Sequence, residues 1–165
     1  PMLQKTEGET YRERLLRLVE ELHLQDQVRF INHFLSLKEL GDFMYMTDIY
    51  FSPYPNLEQN VSGTMAFAIG CGRAIVSTPY AYAAENLRGG KGLISRTVSD
   101  TELGALLGLA SDDDMLRAEL QQRAAALGAS WSWPEVGKQY IECFEGAFLH
   151  PYLPSKGAYP YYAEL

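Results

Sequence analysis

The sequence predicts an α/β fold: a Rossmann-like parallel sheet of about four strands, with helices on both faces and a helical C-terminal part. Three observations predict it. Short β-branched or aromatic runs at residues 28–31, 49–52, 74–77 and 93–95 alternate with amphipathic stretches. The connections are short, so successive strands run parallel and are covered on both faces. After Ser95 the apolar spacing is helical as far as Phe148, and the Pro-rich tail from His150 is not helical.

Taken in order, residues 10–23 place Tyr11, Leu15, Leu18, Val19 and Leu22 at helical spacing, ending at His23. Val28–Ile31 reads as the first strand. Ser36 with Glu39 three residues on is a capping-box pattern for a helix carrying Leu37, Leu40, Phe43 and Met44. Ile49–Ser52 is the second strand, stopped by Pro53 and Pro55, which lack a ladder donor. A loop through Asn56, Glu58 and Asn60 leads to a helix starting near Ser62. This helix runs through Met65, Phe67 and Ile69 to Gly70 and Gly72.

Ala74–Ser77 is the third strand and Leu93–Ser95 the fourth, separated by a helix over 80–87 and a turn at Gly89, Gly90 and Gly92. Asp100 is expected to cap a helix with Leu103, Leu106 and Leu107. Residues 112–114 start the next, with Leu116, Leu120, Ala124 and Leu127 on one face. A last helix begins near Pro134, a residue favoured in the first turn, and is expected to bury Val136, Tyr140, Phe144 and Phe148. Residues 1–150 are read as one domain and 151–165 as a Pro/Tyr-rich tail. The tail either packs as a terminal segment or, given the enrichment of Tyr at interfaces, contacts a partner.

Composition narrows the function. The chain has 165 residues and a net charge of −7, without a basic stripe, so its long-range field repels nucleic acid. No run approaches the roughly 20 apolar residues of a membrane span, which leaves only peripheral membrane association open. No leader is visible, so a cytoplasmic location is expected. Cys71 and Cys143 stand apart in apolar surroundings and read as buried free thiols. His23, His33 and His150 have no metal-ligand spacing, and no metal is expected. No Gly-x-Ser-x-Gly elbow, P-loop or Gly-x-Gly-x-x-Gly fingerprint is present.

In open parallel sheets, ligands bind outside the carboxyl ends of the strands. The loop after Ser52 lies there and ends in Ser62-Gly63-Thr64, where a helix begins. Free N–H groups and the helix dipole favour an anion at such a place. Gly63 lets a ligand approach the backbone, while Ser62 and Thr64 add hydroxyls. From spacing alone, Ser62 reads more readily as an ordinary helix cap. Glu58, an acceptor-only carboxylate in the loop, suits the hydroxyls of a sugar, or is simply solvated. Glu85 follows the third strand and is either a surface charge or part of the same pocket.

The order of segments resembles a known family. "LHLQDQVRFINHFLSLKELGDFMYMTDIYFSPYPN", "GCGRAIVSTPYAYAAENLRGGKGLIS" and "WSWPEVGKQYIECF" are similar, in sequence, to the C-terminal domain of family 4 (group 1) GT-B glycosyltransferases. The resemblance covers residues 10–148. "EQNVSGTMA" and "STPY" resemble a bacterial subgroup of that family. It implies transfer of a sugar from a nucleotide-diphosphate donor, without a cofactor, in bacterial glycan or polysaccharide biosynthesis. It also implies roles for Glu58, or Gln59 in its place, toward the donor sugar, for Ser62, Gly63 and Thr64 toward the diphosphate, and for Glu85 in the donor pocket.

Two departures qualify this. The family carries a second Glu eight positions after the first, where this chain has Ala66 or Phe67. The family's domain also opens with two strand–helix units that this chain lacks, together with the cations they bring. The resemblance therefore implies a longer protein, with an acceptor-binding N-terminal domain elsewhere and no sugar transfer by residues 1–165 alone. A GT-B-fold epimerase and a catalytically silent binding or assembly module are the alternatives.

Overall fold

The computed structural model describes residues 10–149. The predicted tail at 151–165 lies outside them. Residues up to Ser36 and from Leu37 onward form two compact units.

In the first unit, α1 spans Thr10–Glu21. It stops in a Schellman arrangement. The Leu24 N–H reaches back to the Val19 carbonyl (2.9 Å) and the His23 N–H to that of Glu20 (3.1 Å), with His23 at φ 55°. Val28–Ile31, expected to be a strand, forms no ladder. A strand exists only with a neighbour to pair with, and none of the described strands pairs with this run.

The second unit starts with α2 (Leu37–Met46) and contains a three-stranded parallel sheet in the order β1-β2-β3. β1 is Ile49–Ser52, β2 is Ala74–Ser77 and β3 is Leu93–Ile94. Among the described residues the sheet has three strands where about four were expected. Ile49 pairs with Ala74, Ser52 with Ser77 and Val76 with Leu93. Between the strands lie α3 (Gly63–Gly70) and α4 (Ala81–Asn86). Then follow α5 (Asp100–Asp112), α6 (Asp114–Ser130) and α7 (Trp133–Leu149).

β2 is buried along its whole length, as a strand covered on both faces should be. Its side chains alternate between two clusters. Ile75 belongs to a core with Met44, Met65, Ala68, Ile69 and Tyr80. Val76 belongs to a core with Leu103 and Ala110 of α5. α3 is therefore held on one face of the sheet and α5 on the other. Two glycines make the α3 side fit. Gly72, at φ 63°, closes α3 in a left-handed turn, with the Arg73 N–H bonded to the Ala68 carbonyl at 2.9 Å. Gly128 brings α6 directly onto the end of α3. A Cβ there would stand 2.6 Å from the Ile69 carbonyl oxygen.

The α5 cap is Ser99, not Asp100. Ser99 Oγ accepts from the Glu102 N–H at 3.4 Å, and Asp100 is the first helical residue. Ser99-x-x-Glu102 is a capping pair, and Glu102 reaches further back than usual. Its carboxylate accepts from the Arg96 N–H (2.9 Å), the Arg96 guanidinium (3.0 Å), the Thr97 N–H (3.2 Å) and the Thr97 hydroxyl (3.1 Å). These donors, the Arg96 N–H foremost, hold its pKa at about 2 against an ordinary 4.5. A lowered carboxylate pKa stabilises the fold fully above the unfolded value, and that stability fades as pH falls from about 4.5 toward 2. Thermal melts between pH 6 and 2.5 are expected to show wild type losing more stability than Glu102→Gln, with the two converging at the acid end.

α7 departs from expectation. Tyr140 and Phe144 were to be buried, yet each is about 60% exposed, with Ile141 beside them at 58%. Val136 is half-buried, and the side chain of Phe148 lies outside the description. An apolar stripe records what a helix is able to bury; it does not supply the surface that buries it. The thiols are corrected likewise: Cys71 is half-buried against the core and Cys143, on α7, is exposed.

Candidate functional site

All three strands end in a buried serine: Ser52, Ser77 and, one residue past β3, Ser95. These hydroxyls take over where the ladder stops and satisfy its last polar groups. Ser77 Oγ donates to the Ser52 carbonyl (3.1 Å) and Thr78 Oγ1 to the Tyr54 carbonyl (2.6 Å). Ser95 Oγ donates to the Thr97 carbonyl (2.7 Å). Ser52 Oγ shares a 3.0 Å hydrogen bond with the hydroxyl of Tyr80, a side chain with no exposed surface. Tyr80 also meets the ring of Tyr54 edge-on at 5.2 Å. The carboxyl end of the sheet is thus a rigid, hydroxyl-rich floor. An open cleft of about 280 Å³, lined by residues 50–54, lies at β1.

The loop from β1 to α3 rests on this floor. Asn56 Oδ1 accepts from the Glu58 N–H at 3.1 Å, a side-chain turn that shapes the loop tip. The Leu57 and Gln59 carbonyls accept from the Ala81 and Tyr82 N–H groups at 2.9 and 3.1 Å. The loop therefore caps α4, whose own N-cap, Tyr80, supplies no side-chain bond. Gln59 Nε2 donates to the Val61 carbonyl (3.0 Å), so this side chain serves the loop itself. Glu58 is exposed and its carboxylate has no hydrogen-bond or ion-pair partner among the described residues.

α3 begins as expected. Ser62 is its N-cap, in an extended conformation, with Oγ accepting from the Met65 N–H at 3.4 Å. The first helical backbone bond is from the Ala66 N–H to the Ser62 carbonyl. The Gly63 and Thr64 N–H groups have no acceptor among the described residues. Nothing lies within 4 Å of where a Gly63 Cβ would stand, so the space before this turn is open. Thr64 Oγ1 shares a 2.7 Å hydrogen bond with Tyr50 Oη on β1. Two free N–H groups and a hydroxyl at a helix start form a cradle for an anion.

The predicted residues fall into two groups. Gly63 and Thr64 supply those open donors, while Ser62, buried, caps the helix beside them. Glu58 and Gln59 sit on the loop tied to the first turn of α4, and Glu85 is exposed one turn further along α4. The Glu85 charge is felt by Tyr82, whose phenol is pushed up by burial first, then by Tyr80 and Glu85. Ala66 is half-buried and Phe67 is 46% exposed, so no carboxylate occupies either place. Among the described residues, no Lys or Arg hydrogen-bonds into the loop. Arg73 serves the Cys71 and Thr47 carbonyls, Arg88 that of Ala84, and Arg96 pairs with Glu102. No group of three His, Cys, Asp or Glu could hold a metal among the described residues, and no helix there is long and apolar enough to cross a membrane. Sequence reading missed Tyr50, Tyr80 and the serine floor. The available signal was the Ser that ends every strand.

The sequence matches no protein-family model and no curated protein. Its fold does have solved counterparts. The C-terminal domain of a glycosyl transferase group 1 family protein from Francisella tularensis matches with a TM-score of 0.67 at 17% identity, over 76% of this chain and 64% of its own. Sucrose-phosphate synthase from Thermosynechococcus elongatus matches with a TM-score of 0.70 at 15% identity, over 88% of this chain and 36% of its own. The chain therefore spans less than two thirds of the length of either. The fold class they share with it is the α/β fold of a GT-B C-terminal domain.

Proposed function

We propose that this chain is the donor-binding part of a GT-B glycosyltransferase that moves a sugar from a nucleotide-diphosphate donor to an acceptor held elsewhere. The observation that carries the reading is the open start of α3. The Gly63 and Thr64 N–H groups have no acceptor among the described residues, and the Thr64 hydroxyl, bonded to Tyr50 Oη, stands beside them at the carboxyl edge of a parallel sheet. Negative charge grows on the leaving diphosphate as the glycosidic bond breaks. Fixed donors aimed at that charge cost no reorganisation and lower the barrier. Glu58, exposed and without a hydrogen-bond or ion-pair partner among the described residues, orients the sugar by accepting from its hydroxyls, and Glu85, exposed on α4, is assigned to the donor site with it. Gln59 is the weaker candidate for the sugar role because its amide is bonded within the loop.

The cations that would complete neutralisation of the diphosphate come from residues beyond this chain, as does the acceptor site. A nucleotide sugar is the small-molecule partner, and the setting is cytoplasmic glycan synthesis. A second reading, a silent binding module, is favoured by Ala66 and Phe67 standing where a ribose-binding carboxylate would be.

Calorimetric titration with uridine- and guanosine-diphosphate sugars tests the proposal. Binding of one of them, weakened about tenfold or more by Ser62→Ala with Thr64→Ala, is expected from the loss of charge-assisted hydrogen bonds. Absence of binding, or binding that the double variant leaves unchanged, rejects it. Sugar transfer to an acceptor by a longer protein that contains this chain distinguishes the enzyme from the silent module.

A further inference from the structure

Tyr50 and Ser52 alternate to the same face of β1, toward the core that contains Met65 of α3. Ser52 is engaged by Tyr80. Tyr50 also feels the Ser52 hydroxyl, but its 2.7 Å hydrogen bond is to Thr64, 14 positions away in sequence. A phenylalanine at position 50 would serve the sheet and the core as well, so packing alone does not account for the hydroxyl here.

The chemistry of the two hydroxyls fixes a direction once an anion is present. A phosphate oxygen at neutral pH chiefly accepts, so Thr64 must turn its single proton toward the phosphate. Its oxygen then has an empty acceptor position, and Tyr50 is the donor beside it. An ordinary phenol is already a neutral donor at pH 7, and burial raises that of Tyr50 further. A donor behind the Thr64 hydroxyl polarises it and removes its freedom to rotate away.

We infer that Tyr50 is a positioning residue for the anion cradle, acting through Thr64: the relay runs from Tyr50 Oη to Thr64 Oγ1 to a phosphate oxygen of the ligand. It rests on the proposed donor-binding role and adds a residue to it. The phenol touches no ligand atom in this arrangement. It sets the proton direction of the group that does.

A double-mutant cycle tests this, using uridine diphosphate and guanosine diphosphate as separate probes and calorimetric Kd values. Tyr50→Phe keeps the ring and is expected to weaken binding of the recognised nucleotide about three- to tenfold, the worth of one hydrogen bond. In a Thr64→Ala background the same substitution is expected to cost nothing further. With Thr64→Ser, which retains the hydroxyl, the cost of Tyr50→Phe is expected to return. A purely structural role would give the same loss in all three backgrounds. Wild type that binds neither nucleotide overturns the donor-binding reading, and this inference with it. Wild type that binds while Tyr50→Phe binds equally well, or loses the same factor in the Thr64→Ala background, overturns the inference alone.

Discussion

Gly128→Ala is expected to destabilise the protein by about 2 kcal/mol, lowering the melting temperature by roughly 4–8 °C. Propensity alone predicts the opposite sign, because alanine in a helix interior is better than glycine by up to about 1 kcal/mol. The clash decides. The new Cβ would lie 2.6 Å from the Ile69 carbonyl oxygen and 2.8 Å from Gly70 Cα. Both are backbone atoms at the end of α3, and neither moves without moving the helix. Gly104→Ala in α5 is the control, since nothing lies within 4 Å of that position. Thermal melts should show Gly104→Ala unchanged or stabilised and Gly128→Ala destabilised. Equal melting temperatures would mean that α3 and α6 do not meet this closely.

Glu58→Gln is expected to weaken nucleotide-sugar binding by about ten- to a hundredfold, from the loss of hydrogen bonds to a charged acceptor. It should leave the affinity for the matching nucleoside diphosphate unchanged. The contrast follows from the proposed division of the site, with Glu58 assigned to the sugar and Ser62, Gly63 and Thr64 to the phosphates. Stability should not change, because the carboxylate has no hydrogen-bond or ion-pair partner among the described residues. Competition between the two ligands on wild type and variant measures both affinities. An equal loss for both would place Glu58 at the phosphates or in the fold itself, and the sugar role would be withdrawn.

Much of this fold was legible because local signals agreed with tertiary ones. Ile49–Ser52 and Ala74–Ser77 were readable to the residue. The first is stopped by proline, and the second is a short apolar run between turn residues. Ser62 as the cap of α3 was equally clear, because capping chemistry is local. Val28–Ile31 was not, since β-propensity describes a side chain while a strand requires a partner. Asp100 and Ser99 are both good caps, and the choice fell to Ser99 through Glu102, whose bonds to Arg96 and Thr97 come from a turn that spacing does not reveal.

The site shows the same division. The contiguous Ser62–Thr64 segment and Glu58 are proposed for the site from order along the chain alone. The Tyr50–Thr64 bond and the Ser52–Tyr80 bond join residues 14 and 28 positions apart, and only packing brings them together. Gly128 likewise reads as an unremarked helical glycine until α3 is laid against it.

The central claim is that the start of α3 is an anion cradle. Amide proton–nitrogen NMR spectra of the chain, recorded during titration with uridine diphosphate and with guanosine diphosphate, test it most directly. The account predicts that one of the two produces its largest shifts at the Gly63 and Thr64 N–H groups, the donors left free by the fold. Spectra in which neither nucleotide moves those two amides, or in which the changes cluster elsewhere on the sheet, would contradict it.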